Sequence, residues 1–212
     1  MPGVIGMDLA PRHSGFCYIP EDWRGGMDDL EVDHSEYDLK GKMDPEAKVK
    51  AMLAAANVVI NMVERFGVKY VAVEGYAIGS RDRSVTDLAE LCGIIKSQLW
   101  LAHNIVVKTV VVSSARKRLM GSIRGKRKTD KQRGIRALKG KRQVEVFLKN
   151  RGMDFGNEDV MDSFAVGYYY WYDLNDGVYT FSPAEEFEQV VPIGVDSAAR
   201  RQPMDRARKG SP

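Results

Sequence analysis

Val4-Ile5-Gly6-Met7-Asp8 is an apolar run that stops on a carboxylate, and the fold follows from how those five residues are read. A short β-rich run bounded by turn formers, here Pro11 and Gly15, reads as a buried strand with an acid at its end. Gly15 to Ile19 alternates well enough to form a second strand, and Ser35 to Leu39 is expected to form a third after a Gly-rich, acidic connection. Three strands in succession predict an antiparallel meander.

The period then changes. Asp44-Pro45-Glu46 opens a helix, with Asp44 as N-cap and Pro45 at the first helical position, and Val49, Leu53, Ala56, Val59, Ile60 and Val63 mark its expected apolar face. Gly67 stops it. Val68 to Val73 reads as a strand ending on Glu74. Val85 to Ala102 places Leu88, Leu91, Cys92, Ile95 and Leu99 at helical spacing, and Ile105 to Val112 has the β-branched density of a central strand. A last helix opens near Asn157. The elements predict an α/β protein with a central mixed five-stranded sheet flanked by helices. The expected domain spans 1–172, with a basic insertion at 116–142 and a C-terminal appendage at 173–212, where Val178 to Phe181 is a possible strand.

Composition narrows the class. A chain of 212 residues with 44% hydrophobic content can bury one sizeable core. No apolar stretch approaches the ~20 residues that span a bilayer, and the N-terminus lacks the pattern of a signal peptide. The expectation is a soluble cytoplasmic protein with no membrane partner. Cys17 and Cys92 lie far apart in apolar surroundings and are expected to be buried thiols.

Charge is concentrated. Between Arg116 and Arg142 thirteen Lys or Arg face one acid, Asp130; that segment carries +12, which leaves −9 for the rest of a chain whose formal charge is +3. Such a stretch suits a polyanion, and Arg116, Lys117, Arg118, Arg124, Lys126, Arg127 and Lys128 are its expected phosphate contacts. A solvated loop is the plainer reading of a charge run. A weaker basic cluster, from Arg200 to Lys209, closes the chain.

Asp159 and Asp162, three apart in a helical first turn, project from adjacent parts of one face. Asp8 and Glu74, at the ends of neighbouring strands, can converge on them. Each acid alone has a structural explanation, in a turn, at a strand end or at a helix N-terminus. Together they suit phosphodiester hydrolysis, in which two divalent ions roughly 4 Å apart activate a water and stabilise the leaving oxygen. Magnesium prefers such oxygen ligands. Asp154 and Glu158 compete for the same role.

With these residues in view, the chain resembles the RuvC-type Holliday junction resolvases of the RNase H-like nuclease superfamily. Val4 to Phe16 is similar to the family's first motif, an aspartate on the first strand with a glycine seven positions later. Val71-Ala72-Val73-Glu74-Gly75-Tyr76 resembles the second, and Asp159 to Val166 the last. The resemblance covers Gly3 to Tyr172 and implies an RNase H-like fold, with Asp8, Glu74, Asp159 and Asp162 as catalytic metal ligands. It implies two Mg2+ or Mn2+ ions per site, a homodimer, and paired nicks leaving 5′-phosphate and 3′-hydroxyl ends. It also implies a catalytic basic residue before the penultimate helix, for which Lys141 is the nearest match, with Arg142 and Lys139 as neighbours. Leu9-Ala10 replaces the family's usual Pro-Gly, and the basic segment from Met120 to Arg142 exceeds what bacterial members carry. A longer arm can hold flaps or forks as well as four-way junctions, and a phage origin fits it.

Tyr76, Arg81 and Arg83 follow Glu74 and are expected to meet DNA, the ring by stacking on an unpaired base and the guanidiniums on phosphates. Packing of Tyr76 on the next helix is the competing explanation. His13 reads as an exposed turn residue or a phosphate contact, and Tyr168 to Tyr172 as core and dimer surface. Two further function classes stay open. A non-catalytic branched-DNA-binding protein would keep the basic arm alone; a sugar kinase or actin-like ATPase would need a second Gly-rich phosphate loop, which the chain lacks.

Overall fold

The computed structural model describes residues 3–10, 12–36, 44–75, 83–120 and 141–175. Five strands, β1 (Val4–Leu9), β2 (His13–Ile19), β3 (Glu31–Glu36), β4 (Tyr70–Glu74) and β5 (Lys108–Val110), form one sheet in the order β3-β2-β1-β4-β5. The first three pair antiparallel, as the opening run predicts, whereas β4 and β5 join β1 in parallel. The helices are α1 (Pro45–Phe66), α2 (Arg83–His103), α3 (Val112–Leu119), α4 (Lys141–Lys149) and α5 (Glu158–Leu174). Among the described residues no helix is long and apolar enough to cross a membrane.

Strand periodicity divides the core in two. Ile5, Met7 and Leu9 of β1, with Val71 and Val73 of β4, face one way and are buried with the inner faces of α1 and α2. Val4 of β1, Cys17 and Ile19 of β2, Ala72 and Val110 face the other way, against α3, α4 and α5. Gly6 belongs to this second face, and there α5 lies directly on the sheet: a Cβ on Gly6 would stand 2.0 Å from the Ser163 carbonyl oxygen and 2.4 Å from the Gly167 nitrogen. The β2–β3 connection is tied to α5 by the Trp171 indole, which donates to the Pro20 carbonyl at 3.0 Å.

The expected caps are present. The Asp44 carboxylate accepts from the Glu46 and Ala47 amides, and Gly67 closes α1 in the left-handed region. Both cysteines are buried thiols.

Three expectations need correction. The buried face of α1 is Met52, Ala55, Ala56, Val59, Met62 and Val63, while Val49 and Leu53 are 48% and 38% exposed. The contact stripe is rotated because Met and Ala fill the space against the sheet and α2. The run from Ile105 to Val112 is not a central strand: only Lys108–Val110 pairs, at the sheet edge, with Val106 and Val111 73% and 60% exposed, and Val112 already begins α3. The third strand ends at Glu36 instead of starting at Ser35. Its expected continuation to Leu39 and the Val178 to Phe181 strand lie outside the described residues, and so does most of the 173–212 appendage; α5 itself continues to Leu174.

Candidate active site

Alternation along β1 and β4 puts Asp8 and Glu74 on the sheet face that carries α5. Their strands pair in register, Gly6 with Ala72 and Met7 with Val73, so the next residues stand side by side. The two carboxyl groups are hydrogen-bonded to each other. Asp8 also pairs across β2 with Gly15, where a Cβ would lie 2.3 Å from the Asp159 carbonyl oxygen. The glycine seven positions after the first aspartate therefore has a physical role: the backbone of the first turn of α5 occupies the place of its side chain. Asn157 caps that turn, accepting from the Asp159 and Val160 amides at 2.8 and 3.3 Å, and the helix carries Asp159 and Asp162 to the same end of the sheet.

Three basic side chains meet these acids. The Lys141 ammonium, at the start of α4, lies 3.0 Å from Asp162 Oδ2, 3.5 Å from Asp159 Oδ1 and 3.9 Å from Asp8 Oδ2. The Arg116 guanidinium of α3 donates through Nε to Asp162 Oδ1 at 3.1 Å and through Nη2 to Oδ2 at 2.8 Å. His13 Nδ1 is 2.5 Å from Asp159 Oδ2. Asp162 itself is fully buried.

Electrostatics match this crowding. Burial, then the hydrogen bond and charge of Glu74, then Asp162, push the Asp8 carboxyl from 3.8 up to about 9, against the opposing pull of Lys141. Burial works against the Lys141 charge, but Asp162, Asp8 and Asp159 outweigh it and raise its proton affinity. Among the described residues no three acidic, His or Cys side chains converge tightly enough to form a ready ligand set; in this arrangement an ammonium stands among the carboxylates. The donor chemistry nevertheless fits a hard divalent cation. All donors are oxygens, and Asp8 keeps a proton that such a cation would displace.

A stability signature follows. Folded Asp8 binds a proton that the unfolded chain releases near 3.8, so its contribution is complete below that pH and is lost as pH rises toward about 9. In chelator the urea midpoint is expected to fall from pH 6 to pH 8.5, by up to about 1.4 kcal/mol of stability per pH unit. Asp8→Asn should flatten that slope. An equal slope in wild type and variant would assign it to another group.

The other expected residues are dispersed. Lys117 is exposed, whereas Arg118 lies over the Tyr169 and Tyr172 rings at 4.9 and 4.7 Å and pairs with Asp173 at 3.1 Å, at the far end of α5. Arg83 begins α2. Tyr76, Arg81, Arg124, Lys126, Arg127 and Lys128 lie outside the described residues. Asp154 and Glu158 are exposed and line a separate hollow with Glu145 and Lys149, so neither joins the four acids. Tyr168 and Trp171 are core residues. His13 is no turn residue: it opens β2. Its parity with Gly15, two positions on, was the available signal that it faces α5.

No protein-family model and no curated protein matches the sequence. Solved structures do resemble the fold. The RuvC structure of Thermus thermophilus aligns with a TM-score of 0.59 at 14% identity, covering 82% of this chain and 97% of that one. T. thermophilus RuvC in complex with a Holliday junction substrate aligns at 0.56 and 11% identity, covering 84% and 98%. With its mixed sheet and flanking helices, the chain has the RNase H-like α/β fold.

Proposed function

We propose that this protein is a metal-dependent, structure-selective endonuclease that resolves four-way DNA junctions, and other branched DNA, by phosphodiester hydrolysis. The observation that carries the reading is the meeting of Asp8, Glu74, Asp159 and Asp162 at one end of an RNase H-like sheet, with Lys141 among them. The likeness to a RuvC structure that holds a Holliday junction supports the choice of substrate class.

Asp8, Glu74, Asp159 and Asp162 would hold the ions. Bound there, Mg2+ or Mn2+ would supply activation of the attacking water and offset charge on the departing oxygen. The chain's own groups prepare the rest. Asp8 keeps a proton, beside Glu74, that must leave before it can act as a ligand. Lys141 keeps its proton and can donate an N–H to a phosphate oxygen brought against the acids. Water adds to phosphorus, the bond to the 3′ oxygen breaks, and the ends are a 5′-phosphate and a 3′-hydroxyl. The basic segment that ends at Arg142 would supply sequence-independent attraction to the backbone, and a homodimer would place two such sites for paired nicks.

The test is cleavage of end-labelled four-way junction, flap, fork and linear duplex by the full chain in Mg2+, Mn2+ or chelator. Symmetric paired nicks in the junction, absent in chelator, are the expected result, and comparable cutting of flaps and forks would broaden the substrate class. Tight junction binding with no cutting in either metal would overturn the proposal in favour of a non-catalytic DNA-binding protein.

A further inference from the structure

Arg116 belongs by sequence to a run of three basic residues, yet the helix sends them in different directions. Lys117 is exposed and Arg118 lies over tyrosines. Arg116 turns inward, and its side chain is only 18% exposed. It contacts both oxygens of Asp162, a carboxylate with no solvent exposure of its own. A phosphate would have to displace that buried partner to use this guanidinium. The planar fork does something a lysine cannot: two parallel N–H donors fix the carboxylate plane as well as neutralising its charge.

The plane matters because of what else reaches Asp162. Oδ2 accepts from Arg116 on one side and lies 3.0 Å from Lys141 Nζ, the ammonium that also touches Asp8 and Asp159. Oδ2 is therefore the oxygen presented to the other acids. Oδ1 is held by Arg116 Nε. Ala115 and Leu119, buried on either side of Arg116 along α3, anchor the helix that carries the fork.

We infer that Arg116 is a positioning residue: by clamping both oxygens of Asp162 it aims Oδ2 at Asp8 and Asp159, and so sets the affinity of the acid cluster for a divalent cation. The inference rests on the metal-dependent reading above. It assigns Arg116 to the acids and removes it from the DNA-contacting surface.

The experiment follows Mn2+ binding to the full chain by the electron paramagnetic resonance signal of free Mn2+, alongside junction affinity in chelator and single-turnover junction cleavage. The variants are Arg116→Lys, which keeps the charge and loses the fork, Asp162→Asn, and the double variant. Arg116→Lys is expected to weaken Mn2+ binding about 10-fold or more, the scale on which groups orienting a metal ligand act, and to leave junction affinity in chelator unchanged. Raising Mn2+ should restore its cleavage. In the Asp162→Asn background the same change should have no further effect on Mn2+ binding, because the group it acts through is gone; this comparison holds even where Arg116→Lys lowers stability.

Wild-type Mn2+ affinity in Arg116→Lys, with wild type itself binding Mn2+ and cutting, would overturn this inference and leave the proposed function standing. Loss of junction affinity in chelator would overturn it in favour of a DNA contact. A wild type that neither binds Mn2+ nor cuts would overturn both.

Discussion

Asp8→Asn is expected to abolish junction cleavage, lowering the single-turnover rate at least ~1,000-fold, or roughly 4 kcal/mol of barrier, with junction affinity in chelator unchanged. Asn keeps the shape and can still donate to Glu74, so β1, β4 and α5 should retain their places. What it removes is the ability to become an anion beside Glu74 and Asp162. Because folded wild type must take up a proton that the unfolded chain releases above 3.8, the variant should already exceed wild type in stability near neutrality in chelator, by a margin that widens as pH rises toward about 9. Added Mn2+ should stabilise wild type and do much less for the variant. Inactivity accompanied by a fall in stability would mean that the fold had been damaged, and cutting by the variant would remove Asp8 from the chemistry.

The largest stability effect is expected at Gly6. Its Cβ would have to occupy a space filled by backbone, 2.0 Å from the Ser163 oxygen and 2.7 Å from the Gly167 Cα, and no rotamer change can relieve a main-chain clash. Gly6→Ala should therefore lift α5 from β1, at a cost of roughly 3 kcal/mol or more. That is a large part of the total stability of an ordinary domain, so the variant is expected to unfold at much lower urea or to be insoluble. Gly15→Ala is the informative companion. Its Cβ would clash most closely with the first turn of α5, at the Asp159 carbonyl carbon and oxygen and the Val160 nitrogen, and a helix end yields more readily than its middle. A smaller loss of stability with a disproportionate loss of cleavage is expected. Near-wild-type urea midpoints for Gly6→Ala would show that the two backbones are not in contact there.

Much of this site could be read from the sequence because its acids sit at positions governed by local rules. Asp8 and Glu74 end apolar runs, and Asp159 and Asp162 follow an Asn cap, so strand parity and the helical turn were enough to bring them to one end of the sheet. The partners of the acids were harder to assign. Only family resemblance points to Lys141, because a lysine in a basic run has no local signal separating it from Lys139 or Arg142. Arg116 looked like part of an electrostatic surface, since charge counting ignores helix direction. The edge position of β5 was illegible for a different reason. Val106 and Val111 have the composition of a buried strand, but they flank β5, which among the described residues is the edge strand, and both are exposed. The buried face of α1 is offset from the one its sequence suggests because Met52, Ala55 and Met62 carry a weaker apolar signature than Val49 and Leu53.

The contact between Gly6 and Gly167 also bears on how such a protein can change over generations. Where α5 meets β1 the spacing is set by main chain against main chain, so the separation of the carboxylates on sheet and helix does not depend on the size of the apolar side chains around them. Leucines, valines and methionines in either half of the core can be exchanged by descent while the acids keep their distances. Within the core, volume-conserving exchanges are the tolerated ones, and the strictest inheritance falls on Gly6 and Gly15, positions that have no side chain at all.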